Sequence, residues 1–101
     1  MSALNPTPAN LLCDAQGRPY FLWDTDLTLA KFRGLLVSAD ADTRAYLIAK
    51  LMRQAKPDDV FTFVTLADLT QQWSAVETQL GHKRAFWQWV LDTWQPRRDA
   101  A

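Results

Sequence analysis

Two carboxylates, Asp24 and Asp26, spaced Asp-x-Asp-x-Thr behind the apolar run Tyr20-Phe21-Leu22-Trp23, are the residues of this chain whose type and spacing could carry out chemistry. In such a pattern one aspartate attacks phosphorus and the second serves as acid and base, which is phosphoryl transfer through an aspartyl phosphate. That chemistry needs a parallel sheet to present the first aspartate at the carboxyl end of a strand. It also needs a hydroxyl residue, a lysine and further metal-binding acids on later strands. Nothing downstream reads as those strands, and Asp40-Ala41-Asp42 repeats the same short string without them. The plainer expectation is that Asp24 and Asp26 lie near the start of a helix opening at Thr28, where carboxylates complement free N–H groups.

Other chemistries have less to stand on. Cys13 and His82 are the only cysteine and histidine; a catalytic pair needs an orienting third group and an electropositive setting, whereas Cys13 sits beside Asp14. A single cysteine forms no internal disulfide, and one histidine without a cysteine cluster makes a protein-only zinc site improbable. The three glycines, Gly17, Gly34 and Gly81, are too far apart for a phosphate loop. The sequence thus predicts no catalytic residue, no metal and no cofactor, and so no enzyme.

The elements that position these residues read as helices. Residues 1–17 mix prolines, Asn, Asp and Gly and form an irregular lead-in; Tyr20 to Trp23, after Pro19, suit an extended strap. A first helix opens at Thr28 with Leu29, Phe32, Leu35 and Leu36 on one face. A second has Asp40 as N-cap and Ala41, Ala45, Ile48, Leu51, Met52 and Ala55 on one stripe, with Lys50 and Arg53 opposite, and Pro57 ends it. A short helical turn to Val64 buries Val60 and Phe61. Thr65 and Asp68 then open a helix expected to run unbroken to Leu80 with Gly81 at C′. The last helix spans about His82 to Trp94, with Phe86, Trp87, Val90, Leu91 and Trp94 in a broad apolar arc. These predict an all-α compact bundle of four to five helices with an extended N-terminal strap, residues 18–95 forming one domain and 96–101 a solvated tail.

Composition agrees with that architecture. A chain of 101 residues with 49% apolar and 12% aromatic side chains has the material for one core. Eleven basic and eleven acidic side chains cancel, so no global field draws it to nucleic acid or an anionic membrane. No apolar run approaches the roughly 20 residues of a membrane span, and the N-terminus lacks a signal-peptide pattern, which places the expected compartment in the cytoplasm.

Two binding modes survive this reading. Helix, Gly81 break and a helix start at His82-Lys83-Arg84 imitate a helix-turn-helix, with Lys83 and Arg84 placed for DNA contacts. The second of those helices, however, is dominated by large apolar residues rather than a polar reading face. Protein association has aromatics to use: Trp89 falls about 60° outside the apolar arc of its helix, and Tyr46 falls on the polar side of its own. Aromatics that the core does not claim are candidate partner contacts, although the Tyr20–Trp23 strap could cover either one.

The phrases Arg18-Pro-Tyr-Phe-Leu-Trp-Asp-Thr-Asp-Leu-Thr28, Asp42-Thr-Arg-Ala-Tyr-Leu-Ile-Ala-Lys50 and Asp58-Asp-Val-Phe-Thr-Phe-Val-Thr-Leu66 resemble a family of small bacterial proteins encoded beside abortive-infection nucleotidyltransferase toxins. The likeness covers most of residues 18–94 and departs between Trp73 and Arg84. It carries no active-site residues. The resemblance implies a helical protein partner of such a toxin, as antitoxin or accessory subunit, and makes Trp23, Asp24 and Asp26, with Tyr46 and Trp89, the candidate partner-binding residues.

Overall fold

The computed structural model describes residues 5–38 and 40–94. Among the described residues six α-helices follow in order: α1 (Ala9–Leu12), α2 (Leu29–Ser38), α3 (Ala41–Gln54), α4 (Pro57–Phe63), α5 (Leu66–Val76) and α6 (Arg84–Trp94). Among the described residues there is no strand, only one isolated bridge between Cys13 and Pro19. The fold is an all-α bundle. The expected tail at 96–101 lies outside the described residues.

At the starts of α2, α3 and α5 side chains satisfy free N–H groups. Thr28 Oγ1 accepts from Lys31 N at 3.2 Å, and Asp40 accepts from both the backbone and the hydroxyl of Thr43. Thr65 and Asp68 form a reciprocal capping box, at 3.0 and 2.9 Å. Asp24 and Asp26 take no part in the start of α2; the N–H of Leu29 is satisfied by the carbonyl of Gly17 at 2.8 Å.

Helix α3 is the centre of the bundle, packing against α2, α4 and α5. Of the expected stripe Ala45, Ile48, Leu51, Met52 and Ala55 are buried and Ala41, in the first turn, is exposed; Leu47 and Ala49 are buried as well, because helices and the N-terminal segment enclose α3 from several sides. Lys50, expected on a solvent face, is only 3% exposed. The expected extended strap is another correction. Residues 20–22 form a 3₁₀ turn, closed by Leu22 N donating to Pro19 O at 3.0 Å, and Phe21 and Leu22 are completely buried. Phe21, Phe32 and Phe63 meet pairwise edge-to-face with centroids 5.5 Å apart, locking the turn to α2 and α4 with roughly 0.5–1.5 kcal/mol per aromatic pair beyond area burial.

The lead-in is also more structured than expected. Besides α1, it contains a tight loop in which Asp14 Oδ1 accepts from the N–H groups of Gln16 and Arg18, both at 2.9 Å, with Gly17 at φ 80°. The helix expected to reach Leu80 stops at Val76 and tightens into a 3₁₀ turn, Glu77–Gln79. A second such turn, Gly81–Lys83, precedes α6, with Gly81 at φ 56° supplying the left-handed residue between them.

The α3–α4 break is sealed by side chains from elsewhere. Trp87 Nε1 donates to the carbonyl of Met52 at 2.9 Å, one of the carbonyls a helix end leaves free. The Tyr20 hydroxyl accepts from Lys56 N at 2.7 Å and donates to Asp59 Oδ2 at 2.6 Å. Asp59, buried in the first turn of α4, also accepts from the backbone N–H and the hydroxyl of Thr7, each at 2.6 Å. Burial pushes the Asp59 carboxyl up, but hydrogen bonds from the Thr7 and Tyr20 hydroxyls outweigh it and hold the group below its ordinary 3.8. The Tyr20 phenol is pushed up to about 12, first by burial and then by its bond to Asp59.

Replacing Tyr20→Phe removes one donor and one acceptor from this joint and is expected to cost about 1–3 kcal/mol in urea unfolding. The pH dependence identifies the cause. Because the folded phenol titrates above its ordinary 10, its contribution is complete below pH 10 and is lost as pH rises toward about 12. The depressed Asp59 contributes above pH 3.8 and loses that contribution as pH falls through its lower folded value. The Tyr20→Phe protein is expected to lack the alkaline loss that the native chain shows between those two phenol values.

Candidate interaction surfaces

The first surface grows out of the 3₁₀ turn. With Phe21 and Leu22 pointing inward, the next residues emerge at the surface, where Thr25 folds the chain back by bonding Leu22 O through its backbone N–H and its hydroxyl. Trp23 is left 75% exposed. Asp24 reaches across to α3, where its Oδ2 accepts from Lys50 Nζ at 2.7 Å, and Gln54 donates to the carbonyl of Phe21 at 3.0 Å. One helical turn before Lys50 stands Tyr46, its half-exposed ring 5.8 Å from the ammonium. Lys50 therefore links Asp24 and Tyr46, two residues that are 22 positions apart in sequence.

The two aspartates differ in environment. The hydrogen bond from Lys50 is the largest influence on Asp24 and holds its carboxyl below the ordinary range, against a smaller upward push from burial. Asp26 is fully exposed, with the Arg18 guanidinium 3.6 Å away. Arg18 is itself oriented by Asp14, at 2.9 Å. Arg18, Trp23, Asp24, Thr25 and Asp26 line a shallow polar hollow of about 280 Å³. A second notch of about 390 Å³ lies between Trp23 and the lead-in. Trp23 is a wall of both, an indole standing free with charged groups around it.

Cys13 lines the second notch, and its thiol is pushed up by burial first and then by Asp14, the opposite of what a thiolate nucleophile needs. His82 is exposed in the turn before α6 and lines neither hollow beside Trp23. Among the described residues no group of three or more His, Cys, Asp or Glu is placed to hold a metal ion, and no helix is long and apolar enough to cross a membrane.

Trp89 belongs to a different place. It is 56% exposed and lines an apolar groove of about 470 Å³ between α4 and α6 with Phe61, Leu66, Phe86 and Trp94, sharing no wall with the hollows beside Trp23. Phe86 and Trp94, expected in the core arc, are 40% and 52% exposed; the core takes only Trp87, Val90 and Leu91 of α6. At the start of α6, Arg84 bonds Glu77 Oε1 at 2.6 Å and its guanidinium lies 5.8 Å from the ring of Trp73. Lys83 is half-buried beside it.

The residues the sequence missed are Lys50, Asp59 and the groove wall from α4. Lys50 occupied a polar wheel position, and Asp59 stood beside Asp58 as an ordinary helix-start acid; nothing local distinguishes a charge that tertiary structure will bury.

The Lys50–Asp24 pair yields a test. Lys50 is the buried member of this pair and Asp24 the exposed one, so removing the carboxylate strands an ammonium out of water, whereas removing the lysine leaves a solvated carboxylate. Asp24→Leu is expected to lower the thermal midpoint, and Lys50→Met to return the Asp24 carboxyl toward its ordinary value in an NMR titration. Adding Lys50→Met to Asp24→Leu should restore most of the loss, because the double replacement leaves no uncompensated charge.

Comparison with known protein families, with curated proteins and with solved structures finds no match to this chain.

Proposed function

We propose that this protein is a non-enzymatic interaction module that binds a nucleotidyltransferase-type toxin in the cytoplasm, as its antitoxin or an accessory subunit. The observation that carries the interaction reading is Trp23: a large indole, 75% exposed, on a rigid turn whose two preceding residues are completely buried. An aromatic anchor presented by a fixed backbone and ringed by charged groups is the composition of a binding hot spot. The preorganised turn means that little conformational freedom is lost on association.

The surrounding charges give the proposed partner its chemistry. Asp26 stands fully exposed at the rim with the Arg18 guanidinium 3.6 Å away, and Asp24 is held ionised beside it by Lys50. Two acidic groups flanking an indole suit a basic nucleotide pocket, where carboxylates can take the place of phosphate oxygens. The toxin itself comes from the sequence resemblance; Trp23, Asp24, Asp26 and Tyr46 are the surface offered to it. The alternative, a helix-turn-helix regulator using Lys83 and Arg84, gains no specific observation. Arg84 is engaged by Glu77, and α6 gives its flanks to the core and to an apolar groove.

Affinity purification with the genomic neighbourhood expressed intact, with and without nuclease, tests the reading. The expected result is a stoichiometric nucleotidyltransferase that survives nuclease treatment and whose retention falls by about tenfold or more in Trp23→Ala, and again in Asp26→Lys. Both positions are exposed, so circular dichroism should show an unchanged fold. Unaltered binding in both variants would sink the surface assignment. Recovery of nucleic acid alone would favour the regulator, and Lys83→Glu with Arg84→Glu should then abolish DNA binding.

A further inference from the structure

We infer that the lead-in is a latched lid: residues 5–12 lift off the body as a unit, released at Asp59 and turning on Cys13, and in lifting they open the notch beside Trp23. The opening is a property of the fold; only its use in binding rests on the Trp23 reading. The closed position depends on few attachments. Asn5 N donates to Asp58 Oδ2 at 2.9 Å, and Thr7 gives both its N–H and its hydroxyl to Asp59. Beyond that latch the segment has little hold. Helix α1 buries none of its four residues and starts at Pro8 without a side-chain cap. Pro8 to Leu11 are exposed, and of residues 8–12 only Leu12 packs against the core. A segment with so little buried apolar contact, held mostly by hydrogen bonds, opens at a cost below that of global unfolding.

The arrangement at Asp59 lets the lid leave without its neighbours. Asp59 Oδ2 also accepts from the Tyr20 hydroxyl at 2.6 Å, and that hydroxyl accepts from Lys56 N at 2.7 Å; neither residue belongs to the lid. When Thr7 departs, Tyr20 still holds the carboxylate, and water entering from the vacated side replaces the two lost donors. The 3₁₀ turn therefore stays seated, and Trp23 with it. The other end of the lid is equally defined, because Cys13 bridges to Pro19 and Asp14 N donates to Arg18 O at 2.9 Å, which fixes the chain again immediately beyond Leu12. Leu11 and Leu12 form the lid's side of the notch, facing Tyr20, Leu22 and Trp23 on the body. Lifting them turns a recess of about 390 Å³ into an open face that adjoins the exposed indole. A partner that uses this face selects the open form, and the closed lid lowers its affinity in proportion to the fraction of chains that are shut.

Amide hydrogen exchange and alkylation of Cys13, both on the full chain, test this. Thr7→Val removes the hydroxyl donor while keeping the branched shape and the backbone N–H. Three rates are expected to rise by about tenfold, the factor for losing one hydrogen bond to a charged group. They are exchange at the N–H of residue 7, exchange at the N–H of Leu11, which donates to Pro8 O, and iodoacetamide labelling of the half-buried Cys13. Exchange at Leu51 and Met52 in α3 should stay as in the native chain, and Thr7→Ser, which keeps the hydroxyl, should leave all these rates native. If the lead-in and α3 rates rise together, the segment opens only with the whole fold; if none of the three rates responds, Thr7 is not the latch. Either result overturns the inference and leaves the Trp23 surface standing, whereas undiminished partner binding by Trp23→Ala would remove that surface and leave the lid.

Discussion

The fold depends on how the backbone break between α3 and α4 is satisfied. Where one helix stops and the next begins, carbonyls and N–H groups lose their helical partners, and each group left unpaired away from water would cost on the order of 1–3 kcal/mol. The chain supplies partners from distant segments: Tyr20 for the N–H of Lys56, Trp87 for the carbonyl of Met52, and Thr7 and Tyr20 for the carboxylate of Asp59. One joint therefore ties the lead-in, the 3₁₀ turn and α6 to the central helices. Because these are hydrogen bonds of defined direction, they specify where each segment lies, which apolar burial alone would leave looser.

The exposure of Trp23 follows from that joint. Tyr20 is fixed by its hydroxyl, Phe21 by two phenyl rings and Leu22 by burial, so the indole that comes next is carried outward on a support with little freedom to fold it back. Lys50 extends the same support sideways. Its ammonium is inside because the turn covers α3 there, and Asp24 is the counter-charge the turn brings with it. Cover, counter-charge and exposed ring arrive together, giving a surface whose geometry is set before any partner meets it.

Helix α6 divides its aromatic residues between two tasks. Trp87 faces inward and bonds α3, whereas Phe86, Trp89 and Trp94 are left on or beside a groove that α4 completes. A helix this apolar would be buried on most of its circumference at the centre of a bundle. Here it lies at the edge, and the apolar surplus lines a groove with α4.

By itself the sequence determined what depends on neighbours in the chain. The all-α class, the caps at Thr28, Asp40 and Thr65–Asp68, the Gly81 break and the outward position of Trp89 all follow from periodicity and end chemistry within a few residues. The short run after Pro19 read as an extended strap, whereas the 3₁₀ turn found there required Phe32 and Phe63 to receive Phe21. Only the tertiary structure decided that Lys50 would be buried, that Asp59 would gather Thr7 and Tyr20, and that Trp23 and Trp89 would belong to separate surfaces. A helical wheel counts the sides of one helix, whereas burial, ion pairing and grooves are set by which other segment covers each side, a long-range property that no local spacing encodes.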